Sequence, residues 1–486
     1  MADITIRKID ETWIHIDADD GIIMGLSEYL SFFANNYKWH PLFKNKVWDG
    51  KIRLLNRYTK RCYMGLLPYI EQWAHERSYN IDDATNEFQN ELSIVEAEEF
   101  IASLNLPYPL RDYQLKYFID VIRRKKILVI SPTASGKSLI IYVVIRWLLK
   151  NKSDTKMLLT VPTIALTSQM ITDFEEYGWT EAREFCHQVY GGIEKDSTKP
   201  IIVSTWQSIY TKPTKWFSQY TAILGDEAHE CDAKSLKHIV ESSTNAEYRI
   251  GMTGTLNGTK VSKYTLEGLF GSVNQTVTTQ GLIEKGVLSK FKIKALILKH
   301  KSTLIPRKFN YQEEIEFLIG CTARNNYIAN LAVSLKGNTL ILYRYVDKHG
   351  KVLRDIITEK LEGTGRNVYY IDGSTDIEIR EQFRKIMETE TNAILIASTG
   401  TFSRGSNIKN LVNLIIAFPN KAKVRLLQSI GRALRPLPGK EAVLYDIADD
   451  LRVGSYENTT LKHYIERLQI YATEKFAYKQ YKIQLN

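Results

Sequence analysis

The feature that most constrains this chain is an apolar run, a tight polar turn and a second apolar run at residues 125–149, KKILVISPTASGKSLIIYVVIRWLL. This order predicts a strand, a phosphate-binding loop and a helix. The loop ends in Gly136, Lys137 and Ser138, an ending typical of loops whose backbone N–H groups hold phosphate oxygens. We expect Lys137 to hold the β and γ phosphates of a nucleotide. We expect the Ser138 hydroxyl to ligate Mg²⁺, an ion that prefers oxygen ligands.

The loop departs from the usual pattern G-x-x-x-x-G-K-[ST], because Ser131 stands where the first glycine belongs. The other residues predicted to line the phosphates are Pro132, Thr133, Ala134 and Ser135. Taken alone, so short a motif also fits an ordinary strand-to-helix turn. The phosphate-site interpretation therefore depends on the motifs further along the chain.

Two adjacent carboxylates follow an apolar run at residues 222–230, AILGDEAHE. The run predicts a strand that delivers Asp226 and Glu227 at its end. Phosphoryl transfer to water requires a metal anchor and a group that activates the water. We expect Asp226 to hold Mg²⁺ and Glu227 to act as the base.

Length and charge limit the possible classes of protein. The 486 residues predict about three domains of ~150 residues each. A formal net charge of +10 indicates an anionic partner, with nucleic acid as the leading candidate.

The cysteines and the apolar runs argue against several classes of protein. Cys62, Cys186, Cys231 and Cys321 lie far apart, which argues against a zinc site and against a disulfide framework. No apolar run reaches ~18 residues and the first residues lack a signal-peptide pattern, so we expect neither a membrane span nor secretion. A cytoplasmic location fits.

Residues 1–90 show short alternating segments and a helical pattern at 27–36, and predict a small α/β domain. Cations and aromatic side chains interleave over residues 38–61, a pattern suited to phosphates and stacked bases. We therefore predict DNA contacts by Trp48, Lys51 and Arg53. The alternative is a solvated basic face over core aromatics. An acidic run at 87–99 predicts a linker or a solvated helix.

Apolar strand patterns alternate with helical patterns from residue 106 onward, which predicts parallel sheets with ligands at the carboxyl ends of their strands. We assign one such domain to 91–288 and a second to 289–455, followed by a helical extension at 456–486. The acid-free stretch 285–312 marks the change from one domain to the next.

The second domain shows strand patterns but no phosphate loop. It carries STGTFSRGSNIKNL at 398–411 and QSIGRALRP at 428–436. Arg432 and Arg435 lie three residues apart, on one face of a predicted helix. At that spacing they can act as arginine fingers, although such pairs are more often surface residues.

These motifs together resemble the core of superfamily 2 helicases. The order is RDYQ, PTASGKS, VPTIAL, STWQS, DEAH, TGT, STGTFSRGSN and QSIGRALRP, from about residue 110 to residue 436. The resemblance implies an α/β fold of two RecA-like domains in tandem after the small N-terminal α/β domain, with ATP and Mg²⁺ bound between the RecA-like domains.

The resemblance also implies roles for single residues. Nucleotide contacts extend to Arg111, Gln114, Gly405 and Asn407, where the family often has aspartate in place of the asparagine. Coupling of hydrolysis to domain closure falls to His229, Thr253, Thr255 and Gln428. Further DNA contacts fall to Thr163, Thr205, Trp206 and Thr399.

The segments WDGKIRLL at 48–55 and YATEKFAY at 471–478 resemble phage recombination helicases. This implies a monomeric DNA helicase that acts on branched DNA by branch migration, fork regression and strand annealing, with R-loops as a further possible substrate. Single-strand-binding or recombination proteins are its implied partners. Two alternatives stay open: an RNA helicase of the DEAH or DEAD kind, and an ATP-driven clamp or translocase without strand separation. Sequence alone does not separate DNA from RNA, because both display phosphates.

Overall fold

The computed structural model describes residues 2–34, 36–85, 91–232, 234–254, 256, 260–301, 305, 309–402, 408, 410–418, 441–452 and 456–485. They form two compact units. The first contains residues 1–131 and 136–276, and the second contains residues 132–135 and 277–486.

The N-terminal part of the first unit is a small α/β arrangement. It contains strands β1 Ile4–Lys8, β2 Trp13–Ala18, β3 Ser31–Phe33, β4 Lys51–Arg53, β5 Arg61–Tyr63 and β6 Ile81–Asp83, and helices α1 Asp20–Tyr29, α2 Pro41–Lys44 and α3 Leu67–His75. Four strands form a sheet in the order β5-β2-β1-β6, and β3 pairs with β4 as a separate antiparallel ribbon. In β1, Ile4 and Ile6 are fully buried and alternate with exposed or half-buried residues, the pattern of a strand with one face on a core.

The predicted helix at 27–36 is wrong in its position. Helix α1 ends at Tyr29, and β3 begins two residues later. The side chain of Phe32 is buried in the strand, where the backbone pairs with β4. Aromatic residues are favoured in such half-buried strands, and this pairing outweighs the local helical pattern.

The rest of the first unit is built on a parallel sheet. It contains strands β7 Lys126–Ile130, β8 Met157–Val161, β9 Cys186–Val189, β10 Ile201–Thr205, β11 Ala222–Asp226, β12 Tyr248–Thr253 and β13 Val273–Asn274, and helices α4 Ile94–Ser103, α5 Asp112–Arg124, α6 Lys137–Asn151, α7 Ile164–Glu176, α8 Ala182–Phe185, α9 Trp206–Ile209, α10 Thr214–Phe217, α11 Lys234–Ser242 and α12 Lys260–Phe270. The strands pair in the order β13-β7-β12-β11-β8-β10-β9, and every pair is parallel. Their residues are almost continuously buried, as expected for strands covered on both faces.

The small sheet and the large sheet of the first unit share one hydrophobic core, which includes Ile6, Leu66 and Phe270. Buried Arg249 at the start of β12 donates to Thr12 Oγ1 over 3.0 Å and to the carbonyl of Leu269 over 2.8 Å. The described residues up to residue 85 therefore have a sheet of their own and are packed into the first unit.

The second unit is a further parallel sheet covered by helices. It contains strands β14 Lys290–Lys299, β15 Thr339–Tyr343, β16 Val368–Ile371, β17 Ile394–Ser398, β18 Asn413–Ile416, β19 Glu441–Asp450 and β20 Tyr478–Gln484, and helices α13 Thr279–Glu284, α14 Tyr311–Gly320, α15 Thr322–Ser334, α16 Lys351–Leu361, α17 Ile377–Thr389, α18 Thr399–Phe402 and α19 Thr459–Thr473. The strand order is β16-β17-β15-β18-β19-β14-β20, with all pairs parallel. The prediction of two RecA-like parallel-sheet domains after a small α/β domain is confirmed.

Two strands of this sheet are not predicted by the sequence patterns. β14 lies in the basic stretch at 285–312, where alternating lysines conceal buried Phe291 and Ile293. β20 falls in the expected C-terminal helical extension, whose described residues are helical over α19 and form a strand at β20. Residues 478–482 are exposed, so β20 carries almost no hydrophobic pattern, and backbone pairing with β14 holds it in the sheet. Across the described part of the chain, no helix is long and apolar enough to span a membrane.

Candidate active site

The carboxyl ends of three neighbouring strands bring the predicted catalytic residues of the first unit together. β12 lies between β7 and β11, so Ser131 after β7, Asp226 at the end of β11 and Thr253 at the end of β12 lie at the same edge. The backbone N–H of Ser131 donates to the carbonyl of Thr253 over 2.9 Å, which joins the start of the loop to β12. Ligands of open parallel sheets bind at this edge.

Gly136 and Ala134 in the loop both have left-handed backbone conformations. Gly136 has a φ of +84° and precedes the first residue of α6. A Cβ at Gly136 would lie 2.4 Å from Gln114 Nε2, so a larger residue does not fit without a shift. Ala134 has a φ of +67°, in the region that favours glycine. Ala134, which carries a Cβ, is therefore a strained residue in the loop.

Gln114, a predicted nucleotide contact, lies beside the loop. Its side chain is buried, and its Oε1 accepts from the backbone N–H of Arg111 over 2.9 Å at the start of α5. Its Nε2 faces Gly136. Arg111 itself is exposed, and its Nη1 donates to the Tyr113 hydroxyl over 3.3 Å. The structure thus places both residues at the start of the helix that precedes β7.

The two loop residues predicted to bind phosphate and metal have protein partners. Lys137 Nζ donates to the carbonyl of Ser131 over 3.2 Å. Ser138 Oγ lies 2.8 Å from the Tyr177 hydroxyl. Sequence reasoning missed Tyr177, because it follows α7 and belongs to none of the motifs. To ligate Mg²⁺, the Ser138 hydroxyl would have to give up its contact with Tyr177 or keep it while binding the ion.

The carboxylate of Asp226 is suited to binding a cation. Among the described residues, its buried Oδ1 has no hydrogen-bond partner. Burial and the neighbouring charge of Glu227 raise the pKa of Asp226 to about 6, although the charge of Lys137 acts in the opposite direction. A bound divalent cation would offset the free-energy cost of the buried negative charge on Asp226. The described residues contain no cluster of three or more His, Cys, Asp or Glu side chains arranged for a metal.

Glu227 has a φ of +55°, a left-handed conformation that is uncommon for glutamate. The residue lies between β11 and the 3₁₀ turn Ala228–Asp232. This backbone turn places Glu227 Oε2 3.2 Å from His229 Nδ1. Strain of this kind occurs at functional sites, where the surrounding fold holds it.

His229 joins the carboxylate turn to β12. Its Nδ1 lies 2.9 Å from Thr253 Oγ1, and both side chains are buried. Burial lowers the pKa of His229, but the hydrogen bond and the charge of Glu227 outweigh it, so the net shift is upward. Two of the four residues predicted to couple hydrolysis to domain closure, His229 and Thr253, are therefore in direct contact.

The predicted DNA contacts of the first sheet differ in exposure. Thr163 is half-buried and caps α7, where its Oγ1 accepts from the N–H of Leu166 over 3.4 Å. Thr205 and Trp206 are 3% and 4% exposed, and Trp206 belongs to the hydrophobic core. Core packing leaves little of the Trp206 side chain exposed, and its contact with DNA stays a prediction. In the second unit, Thr399 is half-buried at the start of α18.

The predicted DNA contacts of the N-terminal region are held by protein partners. Lys51 pairs with Glu28, and Arg53 Nη1 donates to Asp49 Oδ1 over 3.2 Å. Trp48 is half-buried, and its Nε1 donates to the carbonyl of Lys51 over 2.8 Å. Glu28 comes from α1, outside the basic segment, so the segment's own composition gives no sign of this pairing.

Several predicted site residues lie outside the described residues. They are Thr255, Gly405, Asn407, Gln428, Arg432 and Arg435.

Three protein families match successive parts of the chain. The N-terminal family of DNA helicase UvsW matches residues 3–82, the type III restriction enzyme res subunit matches residues 107–258, and the helicase conserved C-terminal domain matches residues 323–436. The last two matches contain the motifs described above.

Comparison with whole proteins also identifies similar helicases and translocases. The chain is 33% identical over 98% of its length to the ATP-dependent DNA helicase uvsW of phage T4, and covers 98% of that protein. The crystal structure of T4 UvsW matches with 29% identity and a TM-score of 0.52, over 100% of both chains. The DNA 3'-5' translocase XPB2 of Sulfurisphaera tokodaii is 24% identical over 73% of this chain and 86% of its own. This chain belongs to the family of the phage ATP-dependent DNA helicase UvsW.

Proposed function

We propose that this protein is an ATP-driven DNA helicase that remodels branched DNA. The observation that carries the proposal is the arrangement of Asp226, Glu227, His229 and Thr253 at one edge of the first sheet, beside the start of the phosphate loop. Family membership supports the use of ATP and the DNA substrate, because the similar T4 protein is an ATP-dependent DNA helicase. The branched form of the DNA is part of our proposal.

Each residue has a chemical task in this proposal. Lys137 holds the terminal phosphates, and Ser138 and Asp226 hold Mg²⁺, which when bound supplies positive charge that neutralises phosphate oxygens. Glu227 accepts the proton of the attacking water. His229 holds Glu227 through its Nδ1 and passes changes at that carboxylate to Thr253 on β12. Arg432 and Arg435 stabilise negative charge in the transition state.

The DNA surface that we propose for the N-terminal region lies outside the ion-paired Lys51 and Arg53. Trp39 and Tyr58 are 75% and 97% exposed, and the Lys44 ammonium lies 5.4 Å from the centre of the Trp39 ring. Lys38 is also exposed. We call Lys38, Trp39 and Lys44 the basic-aromatic surface, and Tyr58 adds a further exposed aromatic ring in the same segment. Cations attract phosphates and aromatic faces stack on bases, so this surface suits DNA better than the ion-paired side chains.

The remaining parts of the proposal concern surroundings and partners. We propose that the protein acts as a monomer in the cytoplasm of the host cell. Single-strand-binding or recombination proteins are its proposed partners. The net charge of +10 supports an anionic substrate.

A strand-separation assay with matched substrates tests the proposal. The substrates are a replication-fork DNA, a four-way junction, a linear DNA duplex and an RNA duplex of the same sequence. We expect ATP-dependent separation of the fork and the junction and little action on RNA. Equal or faster separation of RNA would contradict the DNA assignment. ATP-dependent movement on DNA without strand separation would assign the chain to the translocases.

A further inference from the structure

A cysteine, a histidine and an aspartate are in contact in the second unit, and none of them belongs to the motifs assigned above. Cys321 Sγ lies 3.9 Å from His300 Nδ1, and His300 Nε2 lies 2.9 Å from Asp449 Oδ1. His300 follows β14, Cys321 lies between α14 and α15, and Asp449 lies near the end of β19. Three separate elements therefore converge on the imidazole.

The hydrogen bonds fix which imidazole nitrogen faces the sulfur. Asp449 is fully buried and also accepts from Arg324 Nε over 2.9 Å, so it is held as a carboxylate. A carboxylate only accepts, and the His300 nitrogen that contacts it must carry a proton. The other nitrogen, Nδ1, is therefore the one available to take the thiol proton of Cys321. An activated nucleophile generally has a base beside it and a third group that orients the base. Cys321, His300 and Asp449 have these three positions.

The charged groups around His300 favour a proton on the imidazole. Burial lowers the pKa of His300, but the hydrogen bonds to Asp449 and Cys321 outweigh it and raise the pKa to about 9. The hydrogen bond from His300 lowers the pKa of Cys321, and burial acts against it. Burial and the charge of Arg324 lower the pKa of nearby His349 to about 3, so His349 adds no positive charge.

Position and exposure distinguish Cys321 from two other cysteines. Cys321 is partly exposed and is the N-cap residue of α15, a helix of 13 residues, where the helix dipole also favours a negative charge. Cys62 and Cys186 are buried, and burial raises the pKa of each thiol to about 12. They provide unreactive controls within the same chain.

We propose that Cys321 is a nucleophilic thiolate paired with the His300 imidazolium, and a modification site for soft electrophiles, of which hydroperoxides are the natural class. The thiol proton moves to His300 Nδ1. The sulfur attacks one peroxide oxygen, an S–O bond forms and the O–O bond breaks. The leaving hydroxide of hydrogen peroxide, or the alkoxide of an organic hydroperoxide, takes the proton from His300 to become water or an alcohol, while the sulfur is oxidised to a sulfenic acid and the peroxide is reduced.

Alkylation by iodoacetamide, followed for each cysteine peptide by mass spectrometry from pH 5 to pH 10, tests the proposal. In the folded full chain at pH 7, we expect Cys321 to react at least about threefold faster than the same cysteine in the urea-unfolded chain, because an ordinary thiol has a pKa of about 8.5. We expect Cys62 and Cys186 to react more slowly than in the unfolded chain. A pH profile for Cys321 that matches the unfolded chain would overturn the proposal.

The variant His300→Gln tests the role of the imidazole, since an amide can donate to Asp449 but cannot take a proton from the thiol. We expect its Cys321 to lose the rate advantage at pH 7 and its pH profile to move to higher pH. Hydrogen peroxide with a sulfenic-acid probe should label wild-type Cys321 and spare the variant. An unchanged profile in a folded variant contradicts the proposal. If the variant does not fold, the wild-type profile decides alone.

Discussion

His229 Nδ1 lies 2.9 Å from Thr253 Oγ1, and this contact connects the turn that carries Glu227 to the end of β12. It is a direct side-chain link between two of the predicted coupling residues. We expect Thr253→Val and His229→Ala each to reduce the stimulation of ATP hydrolysis by DNA more than the basal rate. A double-mutant cycle on DNA-stimulated turnover measures the link.

The double variant should lose little more of the stimulation of ATP hydrolysis by DNA than the more damaging single variant, since both changes remove the same contact. Coupling energies of contacting residues are typically about 0.5–3 kcal/mol. Losses that simply multiply would mean that the two side chains act independently. Ser242→Ala is a suitable control, because this residue is buried in the same unit outside the site.

Asp226→Asn should abolish ATP hydrolysis and stabilise the fold at neutral pH. Burial and the Glu227 charge raise the pKa of the Asp226 carboxyl from 3.8 to about 6, so the wild-type fold becomes less stable relative to the unfolded chain as the pH rises through this window. Removing the charge should raise the free energy of unfolding at pH 8 on the order of 1–3 kcal/mol, and by much less at pH 4.

Melting temperature against pH, without nucleotide or Mg²⁺, measures this difference. Asp154→Asn is the matched control, because Asp154 is exposed. Destabilisation of the Asp226→Asn protein at pH 8 would show that a protein hydrogen bond, and not an uncompensated charge, dominates at this carboxylate.

The sequence is sufficient to predict the sheet that carries the site. β7, β11 and β12 are short, mainly apolar segments that end next to Ser131, at Asp226 and at Thr253, so the carboxyl ends of these strands and the functional residues there can be read from the sequence. β20 could not be predicted, because its exposed side chains give no periodic signal and only its backbone pairing with β14 defines it. The left-handed φ of Glu227 and the Tyr177 contact depend on tertiary packing that no local pattern encodes.

The ion pairs of the N-terminal basic segment also depend on tertiary packing and could not be predicted from the sequence. Asp49 is the one acid within the segment, but Glu28 from α1 pairs with Lys51 and lies 3.6 Å from Arg53. A linear count of charges therefore overestimates the cations available for phosphates. The exposure of Trp39 and Tyr58 is likewise a property of the fold that no local pattern encodes.

Neutralising the basic-aromatic surface should weaken the salt dependence of DNA binding. Each phosphate contact contributes about −0.9 to the slope of log K against log salt, so Lys38→Gln with Lys44→Gln should flatten the slope by up to about two units. Lys51→Gln with Arg53→Gln is the matched pair and should flatten it less, because these cations already have carboxylate partners. The opposite ranking would return the DNA contact to Lys51 and Arg53.

Arg432→Ala and Arg435→Ala should each reduce ATP turnover with little loss of nucleotide affinity. An arginine that stabilises transition-state charge contributes about 10³ to 10⁵ in rate. Steady-state turnover and nucleotide binding are measured for each variant. Arg354→Ala, which removes a partly exposed arginine on α16, is the control and should keep wild-type turnover. Wild-type turnover in both test variants would exclude these arginines from the site.

The most direct test of the central claim, that the phosphate loop and the Asp226–Glu227 turn drive DNA remodelling, is the Lys137→Ala variant measured for ATP turnover, fork-DNA separation and melting temperature in one preparation. Lys137 is half-buried, and its ammonium donates to the Ser131 carbonyl at the start of the loop. We predict a melting temperature close to that of the wild type, with ATP turnover and strand separation both lost. Near-normal turnover in the folded variant would contradict the assignment of this loop as the nucleotide site.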